Sequence, residues 1–411
     1  MTTLHLYDTL SASKRPFEPA RNTVTLYVCG VTPYDTTHLG HAFTFVSFDV
    51  LVRYLIRLGY DVRSVQNITD VDDPLFAKAR ELGIEPQQLA ADETDRLVSD
   101  MLDLYVLSPD VRPWASHEIE GMIRLVDQLF ETGHAYRAGD HVYFSVATYP
   151  DYGRLSRLSR DEMISLSRER GGDPDDPRKR DPLDFVLWRP PGEGEPGFPS
   201  PWGDGLPGWH LECSTMALKY LDAPIDIHGG GEDLIFPHHE SEIAQSVAAT
   251  QTAPFARFWV HTGMVYMDGE KMSKSLGNMV FARDLIAEHG PDAVRLYISS
   301  THYRERLHYD VGDLETAGQR AARLARAAHV PANGSAATLL DHQPYCHRFF
   351  ERMSDDLDTP AAIVVLLELA EAIEGGAAAG RDVRQAQEAL RELAALLGLS
   401  LPVDSLVRLD A

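Results

Sequence analysis

The chain is poor in cysteine, in basic residues and in long apolar runs. Three cysteines among 411 residues cannot build a disulfide framework, so metal binding or catalysis is the expected use of a thiol. No apolar run has transmembrane length and no signal-type segment opens the sequence, so we expect a cytoplasmic protein without a membrane partner. Lys and Arg number 38 against 62 Asp and Glu. Because no basic stripe for a phosphate backbone is visible, composition favours a small-molecule substrate.

A short histidine-bearing string, residues 38–41, stands between a strand-like run and a helical one. Residues 24–28 are β-like, and residues 42–58 have the length and apolar spacing of a helix. A helix N-terminus here would present free N–H groups to an anion, and Gly40 would let a nucleotide approach the backbone. His38 and His41 could then donate hydrogen bonds to phosphate oxygens. The alternative is that both are ordinary surface residues.

A second string, Lys-Met-Ser-Lys-Ser at residues 271–275, occupies a polar loop. Lys271 and Lys274 are cations suited to the β- and γ-phosphates of ATP, where charge develops on the departing pyrophosphate. The alternative, a solvated basic loop, is disfavoured because the chain is acidic. The two strings together predict nucleotide chemistry with ATP, accompanied by Mg²⁺, as a substrate.

Strand-like and helical runs alternate through the first half of the chain, and helical runs dominate its end. This order predicts an α/β fold, in which a Rossmann-like, doubly wound parallel sheet carries an inserted subdomain and precedes a C-terminal helical bundle. We expect helical residues 361–397 to be broken at Gly375-Gly376 and Gly380. The predicted divisions are 1–148 and 207–281 for the two halves of the nucleotide-binding core, 149–206 for a loop-rich insertion, and 282–411 for the helices.

Four side chains form a predicted metal site. Cys29 ends the first strand and Cys213 follows a Pro-Gly-Trp-His string, while His238 and Glu242 are four apart and would share one face of a helix. Two thiolates, an imidazole and a carboxylate suit one Zn²⁺ ion. Zinc there could bind a substrate thiolate in preference to a hydroxyl, so a substrate that carries a thiol is expected. The alternative is a pair of inert buried thiols.

Beyond these arguments, several strings resemble the cysteinyl-tRNA synthetase superfamily of class I enzymes. The strings are residues 29–32, 38–41, 67–70, 208–213, 226–242 and 271–275. The resemblance implies that L-cysteine and ATP give cysteinyl-adenylate and pyrophosphate. It allows two acceptors for the cysteinyl group, which are tRNA and, in mycothiol biosynthesis, the amine of glucosaminyl-inositol.

The two branches of this superfamily differ in the acceptor, and the chain has strings that resemble each branch. Residues 72–76, 169–174 and 355–360 look like the mycothiol ligase, and the sequence ends soon after the helical bundle, without room for an anticodon-reading domain. Glu242 and residues 180–188 are closer to the tRNA synthetases. We expect the amide-forming ligase, acting on the amino-sugar inositol as a monomer, with cysteine-tRNA ligase as the alternative. A degenerate, non-catalytic relative is a third hypothesis, but it predicts damaged motifs, and these are intact.

The resemblance also implies which residues contact the substrates. The catalytic side chains are expected to be His38, His41, Lys271 and Lys274. The residues expected to line the cysteinyl-adenylate pocket are Cys29, Gly30, Val31, Thr32, Thr44, Asn67, Ile68, Thr69 and Trp209. The residues expected near the ribose and adenine are Gly231, Glu232, Asp233 and Val265. Thr44 and Val265 can equally be packing residues. The carboxylates among residues 70–73 could act as a base that takes a proton from the acceptor. The alternative is that they form a solvated acidic turn or a helix cap.

Overall fold

A computed structural model describes residues 3–34, 37–272, 277–331 and 335–402. The strands are β1 (His5–Asp8), β2 (Ser13–Pro16), β3 (Thr23–Val31), β4 (Asp61–Ile68), β5 (Ala135–Ala138), β6 (His141–Phe144), β7 (Phe185–Arg189), β8 (Leu206–Pro207), β9 (Ile225–Gly231), β10 (Ala256–Thr262), β11 (Val265–Met267), β12 (Glu270–Lys271), β13 (Leu307–His308), β14 (Ser335–Leu339) and β15 (Arg381–Asp382). The helices are α1 (Leu39–Arg57), α2 (Asp73–Leu82), α3 (Pro86–Asp103), α4 (Ile119–Glu131), α5 (Arg160–Glu169), α6 (Trp209–Leu221), α7 (Glu240–Thr250), α8 (Ala282–His289), α9 (Pro291–Ser299), α10 (Val311–His329), α11 (Gln343–Ser354), α12 (Thr359–Ala378) and α13 (Arg384–Leu396).

The central sheet has four parallel strands in the order β10-β9-β3-β4. Strand β3 is buried from Leu26 to Cys29, the continuous apolar run that a parallel strand covered on both faces requires. It pairs with β4 on one side and with β9 on the other. Because the strand order reverses between β3 and β9, the sheet is doubly wound, and the predicted fold class is confirmed.

Helix α1 joins β3 to β4 and occupies the predicted position. By length and composition it could cross a membrane, but 61% of its most apolar window is buried inside the protein. Phe43, Val46 and Leu55 pack into the main hydrophobic core. Its apolar character is therefore that of a core helix beneath the central sheet.

A second, antiparallel sheet forms in the order β5-β6-β7-β8. Strands β5 and β6 pair with each other and precede residue 149, the expected start of the insertion, whereas β7, the other partner of β6, and β8 follow it. The segment between β6 and β7 contains α5, which begins with a capping box formed by Ser159 and Glu162. Residues of this sheet and of the loop after α5 line a cavity of about 1740 Å³, which we call the outer cavity.

The C-terminal part is helical, as predicted, and α10 to α13 pack on one another. The expected break at Gly375-Gly376 is wrong, because α12 continues through both residues and ends before Gly380, which has a φ of +73°. A Cβ on Gly376 would lie 3.1 Å from Val383 Cγ1. This glycine thus allows close packing inside a helix, although glycine there costs backbone entropy.

Candidate active site and metal centre

The carboxyl ends of three central strands bring predicted residues together. Cys29 and Gly30 lie at the end of β3, Asn67 at the end of β4, and Gly231 at the end of β9. These ends meet where the strand order reverses, which is where open parallel sheets bind ligands. The fold itself therefore assembles segments that are far apart in the sequence.

Glycine at position 30 is required by the approach of β3 to β4. A Cβ there would lie 1.6 Å from the Asn67 carbonyl oxygen. The Gly30 N–H donates to Asn67 Oδ1 at 2.9 Å, and Asn67 Nδ2 donates to Thr69 Oγ1 at 3.0 Å. Backbone and short polar side chains in fixed orientations thus form this part of the site.

A cavity of about 670 Å³, which we call the inner cavity, lies over these strand ends. It is lined by Cys29, Gly30, Val31, Thr32, Tyr34, His38, His41, Asn67, Thr69, Trp209, Cys213, Leu234 and His238. The other predicted contacts do not line it. Ile68 and Val265 are buried in the core, and Thr44 Oγ1 lies 3.0 Å from Thr262 Oγ1. Gly231 is the last residue of β9, and Glu232 and Asp233 come directly after it.

Four buried donor side chains converge at one wall of the inner cavity. The ligand atoms of Cys29, Cys213, His238 and Glu242 all lie within 4.8 Å of one another. Cys29 Sγ is 3.8 Å from Cys213 Sγ and 3.7 Å from Glu242 Oε1. His238 Nε2 is 3.2 Å from the same Glu242 oxygen, and its Nδ1 is 3.0 Å from Nδ1 of His210, which orients the ring. The predicted ligands therefore meet, although three separate segments carry them.

The electrostatics of this cluster fit a divalent cation. Burial raises the pKa of Cys29 and Glu242 well above their ordinary values and lowers the pKa of His238. Glu242 Oε2 accepts no hydrogen bond from the described residues. Without a cation, a thiolate and a carboxylate would be costly here, whereas two sulfurs, an imidazole and a carboxylate suit Zn²⁺.

A second group of donors overlaps the first. His228 and His239 also come within 4.8 Å of Cys29 and Glu242. His239 Nε2 lies 3.2 Å from Cys29 Sγ, while its Nδ1 lies 2.7 Å from His261 Nε2. Neither His228 nor His239 lines the inner cavity. Cys213 and His238, by contrast, both line it.

Helix α1 begins at the histidine string. His38 is its N-cap, and Nδ1 accepts from the His41 N–H at 3.3 Å, so the proton of the neutral ring lies on Nε2. The two imidazole rings stack with centroids 3.7 Å apart. A Cβ on Gly40 would lie 2.9 Å from His38 Nδ1, so this glycine leaves room for the capping ring.

The lysine string lies partly within the described residues. Lys271 Nζ is 3.3 Å from Asp233 Oδ2, and the two side chains are 43% and 36% exposed. Lys274, with Ser273 and Ser275, lies outside the described residues. Because an exposed ion pair contributes little to stability, Lys271 can exchange Asp233 for a phosphate at small cost.

Comparison with known proteins assigns the family. Residues 16–319 match the family described as "tRNA synthetases class I (C) catalytic domain", and residues 348–402 match the "DALR domain". The cysteine-tRNA ligase of Legionella pneumophila (strain Paris) is 46% identical over 373 residues, 90% of this chain and 80% of the relative. The chain belongs to the cysteine-tRNA ligase family. The cysteine-tRNA ligase of Dehalococcoides mccartyi (strain ATCC BAA-2266 / KCTC 15142 / 195) is 41% identical over 400 residues, 97% of this chain and 86% of the relative.

Solved structures agree on the fold of this family member. A Mycobacterium tuberculosis methionyl-tRNA synthetase in complex with methionyl-adenylate superimposes with a TM-score of 0.67 at 18% identity, covering 93% of this chain and 92% of that one. At this identity the likeness shows the fold alone. Membership in the cysteine-tRNA ligase family adds the chemistry, which is ATP-dependent activation of an amino acid.

Four histidines that surround the candidate metal donors of this chain were not predicted as site residues from the sequence. They are His210, His228, His239 and His261. His239 adjoins the predicted ligand His238, and His228 lies in a string already singled out, so both had a local signal. His261 had none, because it reaches His239 only through the pairing of β9 with β10. Its Nδ1 is held 2.7 Å from Thr9 Oγ1, beyond β1.

Proposed function

We propose that this chain acts in the cytoplasm to convert L-cysteine and ATP to cysteinyl-adenylate and to transfer the cysteinyl group to the 3′ end of tRNA. The observation that carries this proposal is the shared inner cavity. It is lined at one wall by Cys29, Cys213 and His238 and elsewhere by His38 and His41. One wall of this cavity would bind a thiol, and the helix N-terminus next to it would bind a phosphate. This combination suits the adenylation of cysteine and of few other amino acids.

The four donors at that wall would hold one zinc ion, namely Cys29, Cys213, His238 and Glu242. Zinc bound there supplies a site with high affinity for a thiolate and low affinity for a hydroxyl, which separates cysteine from serine. The Trp209 ring packs on the His238 ring with centroids 4.2 Å apart, so it lies beside the bound side chain and excludes water from it. Asn67 and Thr69 offer polar groups to the amino-acid end.

Adenylation needs charge stabilisation on the phosphates. The cysteine carboxylate attacks the α-phosphorus of ATP, the bond to the bridging oxygen breaks, and pyrophosphate leaves with the electron pair. His38 Nε2–H and the N-terminus of α1 face the α-phosphate in this proposal. Lys271 and Lys274, helped by Mg²⁺, neutralise the leaving pyrophosphate. Gly231, Glu232 and Asp233 are assigned to the ribose, and Val265 to the adenine.

Two acceptors have support. The curated relatives are named cysteine-tRNA ligases and the chain spans 80% or more of the length of those described above, which favours tRNA. The amino-sugar inositol that the sequence favoured is a second candidate. Asp72 and Asp173 line the outer cavity and could pair with an ammonium group, but Arg170, Arg178, Lys179 and Arg189 line it as well.

A competition assay distinguishes the two acceptors. The purified protein is given radiolabelled cysteine, ATP and either a cysteine-specific tRNA transcript or glucosaminyl-inositol. We expect acid-precipitable cysteinyl-tRNA and little amide. Amide formation with no charged tRNA would replace the proposed acceptor with the amino sugar, while adenylate formation would stand.

A further inference from the structure

Three carboxylates, those of Asp70, Asp72 and Asp73, follow the end of β4. Two of them, Asp70 and Asp73, make contacts in the local structure. Asp70 is buried and accepts a hydrogen bond from the Ser116 N–H at 2.9 Å. Asp73 is exposed and forms an ion pair with Arg189. Both are used in local structure, although Asp73 also lines the outer cavity.

Asp72 makes a different contact, with a residue that lines the inner cavity. It occupies the N-cap position of α2, but its side chain makes no capping hydrogen bond. Instead Asp72 Oδ2 accepts from Thr32 Oγ1 at 2.7 Å. The helix-cap alternative for this carboxylate is therefore wrong, and its orientation toward Thr32 needs another explanation.

The position of Asp72 is the boundary between the two cavities. Thr32 lines the inner cavity, Asp72 lines the outer cavity, and Trp209 lines both. A molecule in the outer cavity therefore reaches the inner one past the Thr32–Asp72 hydrogen bond and the Trp209 ring. The amino-acid end of the proposed adenylate lies on the far side of this wall.

We propose that Asp72 accepts the proton of the acceptor nucleophile, which enters through the outer cavity. This inference rests on the proposed function and deepens it. The ribose hydroxyl oxygen bonds to the cysteinyl carbonyl carbon, and its proton passes to the Asp72 carboxylate. The bond from that carbon to the phosphate oxygen breaks, and AMP leaves with the electron pair. Thr32 holds the carboxylate in place.

The surroundings of Asp72 suit a base. Burial raises its pKa to about 6, opposed by the Thr32 hydrogen bond and by the Arg189 charge and assisted by Asp73. The buried carboxyl of Glu212, on α6, faces it as well. A group with this pKa is ionised at neutral pH and is still basic enough to take a proton in the transition state.

The test separates transfer from adenylate formation. Cysteinyl-adenylate is formed first on the protein, a cysteine-specific tRNA transcript is then added, and single-turnover transfer is followed from pH 5 to 8. Pyrophosphate exchange is measured in parallel. Asp72→Asn should slow transfer about 100-fold, far more than it slows exchange, and should abolish the fall in transfer rate below a pH of about 6. Asp72→Glu should recover part of the rate, and Asp95→Asn, an exposed control on α3 that lines neither cavity, should stay within about twofold.

Each other result rejects the inference. Transfer by Asp72→Asn within about threefold of the unmodified protein, or with an unchanged pH profile, would show that Asp72 accepts no proton. An equal loss of transfer and exchange would show that Asp72 only supports the inner cavity through Thr32. Absence of cysteine-dependent exchange in the unmodified protein would instead reject the proposed function, and this inference with it.

Discussion

At the candidate metal centre, three separate segments of the chain supply the four donor residues, so a single substitution can remove one donor at a time. Cys29 belongs to β3, Cys213 to α6 and Glu242 to α7. The carboxylate and both thiols are buried, and removal of one sulfur takes away a ligand without exposing the core. The third cysteine, Cys346, is only half-buried, in α11, which makes it a matched control.

We predict that Cys213→Ala loses bound zinc and Cys346→Ala does not. Removing one of four donors from a tetrahedral zinc site weakens binding strongly, because structural and catalytic sites need three or four protein ligands. Elemental analysis after gel filtration should give about one zinc per chain for the unmodified protein and for Cys346→Ala, and much less for Cys213→Ala. Equal zinc in all three would refute the ligand assignment.

At the scale of elements, the N-terminus of α1 combines a structural and a chemical task in one side chain. His38 caps the helix through Nδ1, and the same residue lines the inner cavity. Helix capping needs only an acceptor near the first N–H groups, and asparagine supplies one. The proposed phosphate contact needs the imidazole donor.

We predict that two substitutions separate these tasks. His38→Asn should keep the free energy of unfolding within about 0.5 kcal/mol, whereas His38→Ala should lower it by about 1 kcal/mol. Both should slow cysteine-dependent pyrophosphate exchange about 100-fold, because both lose the imidazole Nε2–H that is proposed to donate to the α-phosphate. Denaturant titration and exchange kinetics provide the two readouts. Normal exchange by His38→Asn would show that His38 acts only as a helix cap.

Local patterns predicted elements well where one chemical rule acts over a few residues. The apolar run of β3, the helical spacing of α1 and the four-residue interval of His238 and Glu242 belong to this class. The exact position of the helix break could not be predicted in this way, because Gly376 packs against Val383, which lies in a later segment. The orientation of Asp72 toward Thr32 was likewise hidden, because it depends on β3 lying beside β4.

At the scale of the whole molecule, the C-terminal helices are joined to the catalytic core by a buried arginine. Arg295 of α9 is fully buried, forms an ion pair with Asp49 of α1, and donates to the carbonyls of Leu104 and Leu397 at 2.7 and 2.8 Å. Removing one partner of such a pair would leave an unpaired charge inside the protein, which is strongly destabilising. The ends of α3 and α13 are therefore held against α1, the helix that begins at the inner cavity.

Overall charge was the least informative property at this scale. A net charge of −24 favoured a small acceptor, yet a relative 46% identical over 90% of the chain is a tRNA ligase. Binding of a phosphate backbone depends on local clusters of Lys and Arg, and a total cannot reveal them. The adenylation half of the reaction was predictable because its motifs are short, whereas the acceptor is recognised by surfaces without a local sequence pattern.

The most direct test of the account is pyrophosphate exchange by the zinc-loaded protein with cysteine and, separately, with serine. Exchange should depend on cysteine, and serine should be slower by a factor on the order of 10⁴, because a hydroxyl cannot replace a thiolate on the metal. The measurement needs no acceptor, so its outcome is independent of whether tRNA or an amino sugar follows. Exchange that is absent with cysteine, or equally fast with serine, would contradict the central claim that this site activates cysteine.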